Sequence, residues 1–169
     1  VLLVLDGAYA EYIEDDWYSD GAELVEAAEN AVMTRTFSKL HALAQIRLGW
    51  AYCPTAVADV LDRIRAPFNV AGPAQAAGLA ALADREHADR TRAHTIQWRN
   101  WLTAEGTKLG LQTTDSVGNF VLLRFADEAG RTAHEADAFL RSRGIIVRTQ
   151  DPVGLSDCLR VSIGTEDEM

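Results

Sequence analysis

The chain reads as an α/β protein, a mostly parallel sheet with helices, followed by a small α+β domain. Three observations predict this. It opens on VLLVL, an unbroken apolar run of the kind that forms a parallel strand buried on both faces. Short apolar and β-branched runs then alternate with helical stretches, the pattern of β-α-β units. Beyond Gly110 the spacing changes to three strand-like runs around one helix. The expected division is residues 1–84 and residues 85–169.

After the first strand, AELVEAAEN (22–30) reads as a short helix or loop, AVMTRTF (31–37) as a second strand and IRLGWAYC (46–53) as a third. Pro54 and Thr55 open a helix, TAVADVLDRIR. That helix stops before Pro67, because the residue preceding a proline is driven out of the α region. From Pro73 to about Trp101 the alanine-rich sequence turns from apolar to charged without a proline, so it reads as one long helix or two end to end, buried early and solvated late. NFVLLRF (119–125), GIIVRT (144–149) and CLRVSIG (158–164) are strands. Between the first two lies TAHEADAFLRSRG (132–144), a helix with Thr132 as N-cap and Gly144 just past its end. The four tryptophans, at 17, 50, 98 and 101, are expected as core or lobe-contact anchors.

Thr165 and Glu168 have the spacing of a capping box with no helix after it, and the chain begins inside a strand without Met, so both ends read as cut and a fragment is expected. At 169 residues there is enough chain for one sizeable core or two small lobes, and about 70% of the unfolded surface could be buried. A composition of 48% hydrophobic and 24% charged residues is that of an ordinary soluble protein. The net charge of -9 argues against nucleic acid or an anionic membrane as partner, since phosphates would be repelled. Cys53 and Cys158 lie in no CxxC or Cys/His cluster, so both are expected as reduced thiols, with no disulfide and no metal site. No apolar run reaches the roughly 20 residues that span a bilayer, and the start lacks the basic flank of a signal peptide, so a cytoplasmic protein is expected.

The segment TRTFSKLHALAQIRLGW (34–50) carries the chemistry. A lysine directly after a strand, Lys39, is placed to form a Schiff base with an aldehyde cofactor, and Ser38 and Arg47 are the kinds of group that hold a phosphate. Upstream, Asp6 ends the first strand, where open α/β sheets put their ligands, and Tyr9 follows three residues later. Acid, phenol, lysine and phosphate-binding cation are the set that pyridoxal phosphate requires. Taken singly, each has a plainer reading: Asp6 as a turn former, Tyr9 as a surface aromatic, Thr36 as a strand residue, and Lys39, Arg148 and Arg160 as solvated cations.

LDGAYAEY, TRTFSKLHALAQIRLGW, GNFVLLRF, GIIVRT and CLRVSIGTEDE, in that order and at fitting intervals, resemble the fold-type I pyridoxal-phosphate aminotransferases, and within them the histidinol-phosphate branch. The resemblance covers nearly the whole chain. It implies the C-terminal part of a pyridoxal-phosphate-dependent transferase large domain, then a small C-terminal domain. By the same resemblance Lys39 binds the cofactor and acts as general base, Asp6 pairs with the ring nitrogen, and Tyr9 bonds the ring's phenolic oxygen. Thr36, Ser38 and Arg47 seat the cofactor phosphate, Arg160 clamps the substrate carboxylate or its counterpart, and Arg148 helps hold a substrate phosphate. The implied reaction moves an amino group between a small-molecule donor, histidinol phosphate, and the keto acid 2-oxoglutarate, giving imidazole acetol phosphate and glutamate in histidine biosynthesis, in a homodimer. Alternatives are an aromatic aminotransferase, a threonine-phosphate decarboxylase-like enzyme, a protein that binds another phosphate ligand without covalent chemistry, or a catalytically inert fragment. The sequence departs from the family pattern at Gly7, where Glu is usual, at Ala42 and Gln45, where small residues are usual, and at His41, often aromatic. Ala42 is a mild change if its backbone is helical, and Gln45 would add bulk near the phosphate. The family's preceding half is not in the chain.

Overall fold

The structure, a computed structural model, describes residues 1–169 and divides into two compact units, Val1–Arg92 and Ala93–Met169. In the first unit β1 (Leu3–Asp6), β2 (Ala31–Thr36) and β3 (Gly49–Tyr52) form a sheet in that order. β1 and β2 run parallel, with Leu3 opposite Ala31 and Asp6 opposite Thr34. Helix α1 (Ala22–Ala27) connects them and packs on β2, the β-α-β unit that the sequence predicts. Val25, Ala31 and Met33 make the buried cluster, and Leu5 and Ala28 pack against it. β3 returns antiparallel to β2, so residues 37–48 form the loop of a hairpin.

Burial of β1 on both faces is not what the structure shows. Leu3 and Val4 are 47% and 54% exposed. The strand order explains this: β1 is an edge strand bonded to β2 alone, and only Leu5 packs into the cluster. The third strand is also shorter than expected, because Ile46 ends a 3-10 turn and Arg47 is left-handed, so pairing begins at Gly49.

Helix α2 (Thr55–Ile64) begins after Pro54, ends before Pro67, and buries no residue. The alanine-rich stretch is two helices, α3 (Gly72–Ala83) and α4 (Arg85–Lys108). Asp84 makes the break: its ψ of 71° leaves the helix, and its Oδ1 accepts the His87 amide at 2.9 Å to start α4. The expected early burial is absent, since only Ala74 and Gly78 of α3 are buried. Alanines on every side of α3 give it no single apolar face to turn inward. Helix α4 runs through the division, its residues to Arg92 belonging to the first unit and those from Ala93 to the second.

The second unit holds an antiparallel sheet in the order β4 (Gln112–Thr113), β5 (Phe120–Arg124), β7 (Leu155–Ser162), β6 (Arg148–Gln150). Helix α5 (Ala133–Ser142) packs on β7. Val121, Leu123, Ala133, Cys158 and Leu159 are buried there, so this is the predicted small α+β unit. The Thr132 cap is a full capping box with Glu135, and Gly144 takes φ 79° just past the helix. Core burial is not seen for three of the four tryptophans, since Trp17, Trp50 and Trp101 are exposed, while Trp98 is half-buried with its ring 5.3 Å from that of Trp101. Both cysteines are free thiols, and only Cys158 is fully buried. No helix is long and apolar enough to cross a membrane.

Candidate active site

Because β1 and β2 are parallel, their carboxyl ends share one edge of the sheet, and there the chain concentrates its chemistry-bearing residues. Asp6 closes β1 opposite Thr34 and is exposed. Its Oδ1 accepts the Ala8 amide at 3.1 Å, a bond that turns the chain toward Tyr9. Thr36 closes β2, and its hydroxyl accepts the Ser38 amide at 3.1 Å, which fixes the start of the loop just before Lys39.

The hairpin register sets the other side of the loop. Thr36 lies opposite Gly49, and the Phe37 amide donates to the Leu48 carbonyl at 3.1 Å. Ser38 and Arg47 are the next residues along the chain on the two sides of that bond. Gly49 is required there, because a Cβ would lie 2.7 Å from the Arg35 carbonyl oxygen. Inside the loop the Leu43 amide donates to the Phe37 carbonyl at 3.0 Å, and the Ala42 amide to the Lys39 carbonyl at 2.9 Å.

Lys39 and Tyr9 are brought together: Nζ lies 5.3 Å from the centroid of the Tyr9 ring. Tyr9 is partly buried, with the Tyr12 ring 6.4 Å away. Arg47 is exposed and donates to the Ala44 carbonyl of its own loop, so no bond joins it to Thr36 or Ser38. In the second unit, Arg148 and Arg160 are directly opposite each other on β6 and β7 and therefore share a face of the sheet. The Arg160 guanidinium lies 5.0 Å from the Phe120 ring centroid, and its Nε is buried without a hydrogen bond. Arg148 is exposed.

Two features near Lys39 went unread in the sequence. Arg35, whose side chain is 7% exposed, pairs with Asp20 at 2.9 Å and donates to the Gly7 carbonyl at 3.4 Å, so it braces the backbone just after Asp6. Gly7 makes room for this, since a Cβ there would come 2.9 Å from the Thr34 carbonyl oxygen and 3.1 Å from the Arg35 guanidinium. A lone cation among the uncharged residues of AVMTRT was the available signal. Ala42 is the second: its φ is 56°, left-handed rather than helical, so Ala for Gly is not mild here. Gln45, in contrast, is exposed in the 3-10 turn, and its bulk meets solvent.

The family model described as aminotransferase class I and II matches residues 1–169. A histidinol-phosphate aminotransferase of Paramagnetospirillum magneticum is 54% identical over 168 residues, and one of Rhodopseudomonas palustris is 52% identical over 167 residues. In each, 99% of this chain is covered, and the chain spans 46% of the relative's own length. The crystal structure of histidinol-phosphate aminotransferase from Sinorhizobium meliloti in complex with pyridoxal-5'-phosphate superposes with a TM-score of 0.86 at 30% identity, covering 99% of this chain and 46% of that one.

Proposed function

From the premise that this chain belongs to the class I and II aminotransferase family, we propose that it supplies the lysine-bearing part of a pyridoxal-phosphate-dependent histidinol-phosphate aminotransferase. The single observation that carries this reading is Lys39 itself, set in a closed loop over the Tyr9 ring, its amine free of any hydrogen bond or ion pair, in a loop that also carries Ser38 and Arg47 and starts at Thr36. That donor set fits an aldehyde cofactor with a ring nitrogen and a phosphate. When bound, pyridoxal phosphate supplies an electron sink that lets an amino group change carbon partners.

The family resemblance and the chemistry of each group support these roles for the chain's own residues. Lys39 would hold the cofactor aldehyde through Nζ and would hold and move a substrate proton as general base. The Asp6 carboxylate, at the strand end, would hold the ring nitrogen in its protonated form, and the Tyr9 hydroxyl would donate to the ring's phenolic oxygen. Thr36, Ser38 and Arg47 would seat the phosphate through hydroxyl and guanidinium donors. Arg148 and Arg160 receive the acidic groups of substrate: like charges placed opposite each other repel, and an anion between them relieves the repulsion.

The substrates in this reading are histidinol phosphate and 2-oxoglutarate, products imidazole acetol phosphate and glutamate, and the setting histidine biosynthesis in the cytoplasm, by a homodimer. Residues 1–84 then belong to the cofactor-binding large domain and residues 85–169 to the small domain. A second reading, an inert piece, draws on the exposed apolar face of β1. Borohydride reduction in the presence of pyridoxal phosphate separates the two. Peptide mass spectrometry finds a pyridoxyl group on Lys39, and Lys39→Ala loses it; an unlabelled Lys39 in the wild-type chain supports the inert reading instead.

A further inference from the structure

Beside Lys39 lies a group of ionisable side chains that the proposed chemistry leaves unused. His41, two residues on, is partly buried with its ring against Phe37, centroids 5.1 Å apart and planes 35° apart. Its Nδ1 is buried and makes no hydrogen bond, and the same holds for Oε2 of Glu11 in the 3-10 turn after β1. Two buried polar atoms of complementary kind, both unpaired, call for a physical account. His87 of α4 is the other titratable group acting on His41, and its Nε2 lies 3.4 Å from the Thr91 hydroxyl. Burial, the largest influence, pushes the His41 pKa below its usual 6.5; Glu11 pulls it up and His87 pushes it further down. Within its own loop the other ionisable residues are Lys39, turned to the Tyr9 ring, and Arg47, exposed and bonded to the Ala44 carbonyl.

The backbone ties this imidazole to the lysine. The Ala42 amide closes a turn on the Lys39 carbonyl, and His41 is the third residue of that turn. Phe37, the ring that His41 rests on, accepts from Leu43 and donates to Leu48, so it frames the loop from both sides. The Glu11 backbone is itself fixed, since its carbonyl accepts from the Arg92 guanidinium at 2.9 Å.

We propose that His41 is a positioning residue for Lys39: uncharged, it stays on Phe37 and keeps the Lys39–Ala42 turn closed, and once protonated it turns to the Glu11 carboxylate and loosens that turn. The inference rests on Lys39 being the aldehyde-condensing amine, but the turn can be followed without any cofactor. The sign follows from the lowered pKa: the closed turn holds fully above about pH 6.5 and weakens as pH falls through the depressed value.

Three measurements on the chain test it. Histidine NMR titration reads the His41 pKa, expected below 6.5 and lower still in Glu11→Gln, while hydrogen exchange reads the protection factor of the Ala42 amide. Protection drops about tenfold as His41 titrates in the wild-type chain, at a lower pH in Glu11→Gln, and does not drop in His41→Phe, which keeps the ring stack but cannot be protonated. The rate of pyridoxyl labelling at Lys39 follows the same step, beyond the amine's own titration. A His41 pKa at or above the usual value, or an equal loss of Ala42 protection in His41→Phe, overturns the proposal. Absent labelling with an intact protection step counts instead against the reading of Lys39.

Discussion

Ala42 shows how one backbone angle changes the meaning of a substitution. The left-handed region costs an L-residue about 1–2 kcal/mol, a penalty that glycine avoids, while glycine loosens the unfolded chain by about 0.4–1 kcal/mol. With φ at 56°, Ala42→Gly is therefore expected to stabilise the chain by about 0.5–1 kcal/mol, read as a higher urea midpoint at unchanged slope. A lowered midpoint would show that the Ala42 methyl makes contacts worth more than the strain. The angle was not legible in SKLHALAQIR, because it depends on closing the loop between β2 and β3. The positions of Asp6 and Lys39 were legible, since each follows directly from where an apolar or β-branched run stops. The bracing of Gly7 by Arg35, and the electrostatic influence of Glu11 on His41, join segments 28 or more residues apart and leave no local pattern.

Elements whose ends carry their own hydrogen-bonding groups were read best. Thr132 accepts the Glu135 amide at 3.3 Å, and Glu135 accepts the Thr132 hydroxyl at 2.7 Å and its amide at 3.1 Å, which completes the N-cap that the sequence assigned to Thr132. Thr132→Ala removes both halves of this exchange through the hydroxyl and should cost about 1 kcal/mol, seen in thermal unfolding at neutral pH. The Thr132 hydroxyl, with the Thr132 and Gly130 amides, holds the Glu135 carboxyl below its usual 4.5. A depressed carboxylate stabilises above that usual value, and the contribution is lost as pH falls through the lower one. The gap between Thr132→Ala and the parent should accordingly narrow as pH falls below 4.5 and through the depressed value, and a gap independent of pH would mean that the carboxylate takes no part. Burial was the weaker reading at this scale. An apolar run such as VLLVL states what a strand could bury, and only the strand order of the sheet decides whether anything covers it.

At the scale of the molecule, apolar exposure and charge oppose each other. Val4, Ile64, Phe68, Leu79 and Ile146 are all more than half exposed, and Phe68, at 95%, also sits at a left-handed φ of 54°. β1 adds a free backbone edge beside Leu3 and Val4. Exposed apolar patches and an unpaired edge are the ordinary routes to self-association. The net charge of -9 works against it, through a repulsion that salt screens over about 8–10 Å at physiological strength. The chain spans 46% of its curated relatives, so in those proteins more residues are available to cover such faces. The isolated chain is therefore expected to bind the dye ANS while keeping its far-UV circular dichroism, and to form larger species in sedimentation as salt rises from about 10 to 500 mM. Salt weakens the acidic repulsion between copies, whereas apolar attraction is left intact or strengthened. A chain that stays monomeric and dark to the dye across that range would show that these residues are covered in solution and that the edge of β1 does not drive self-association.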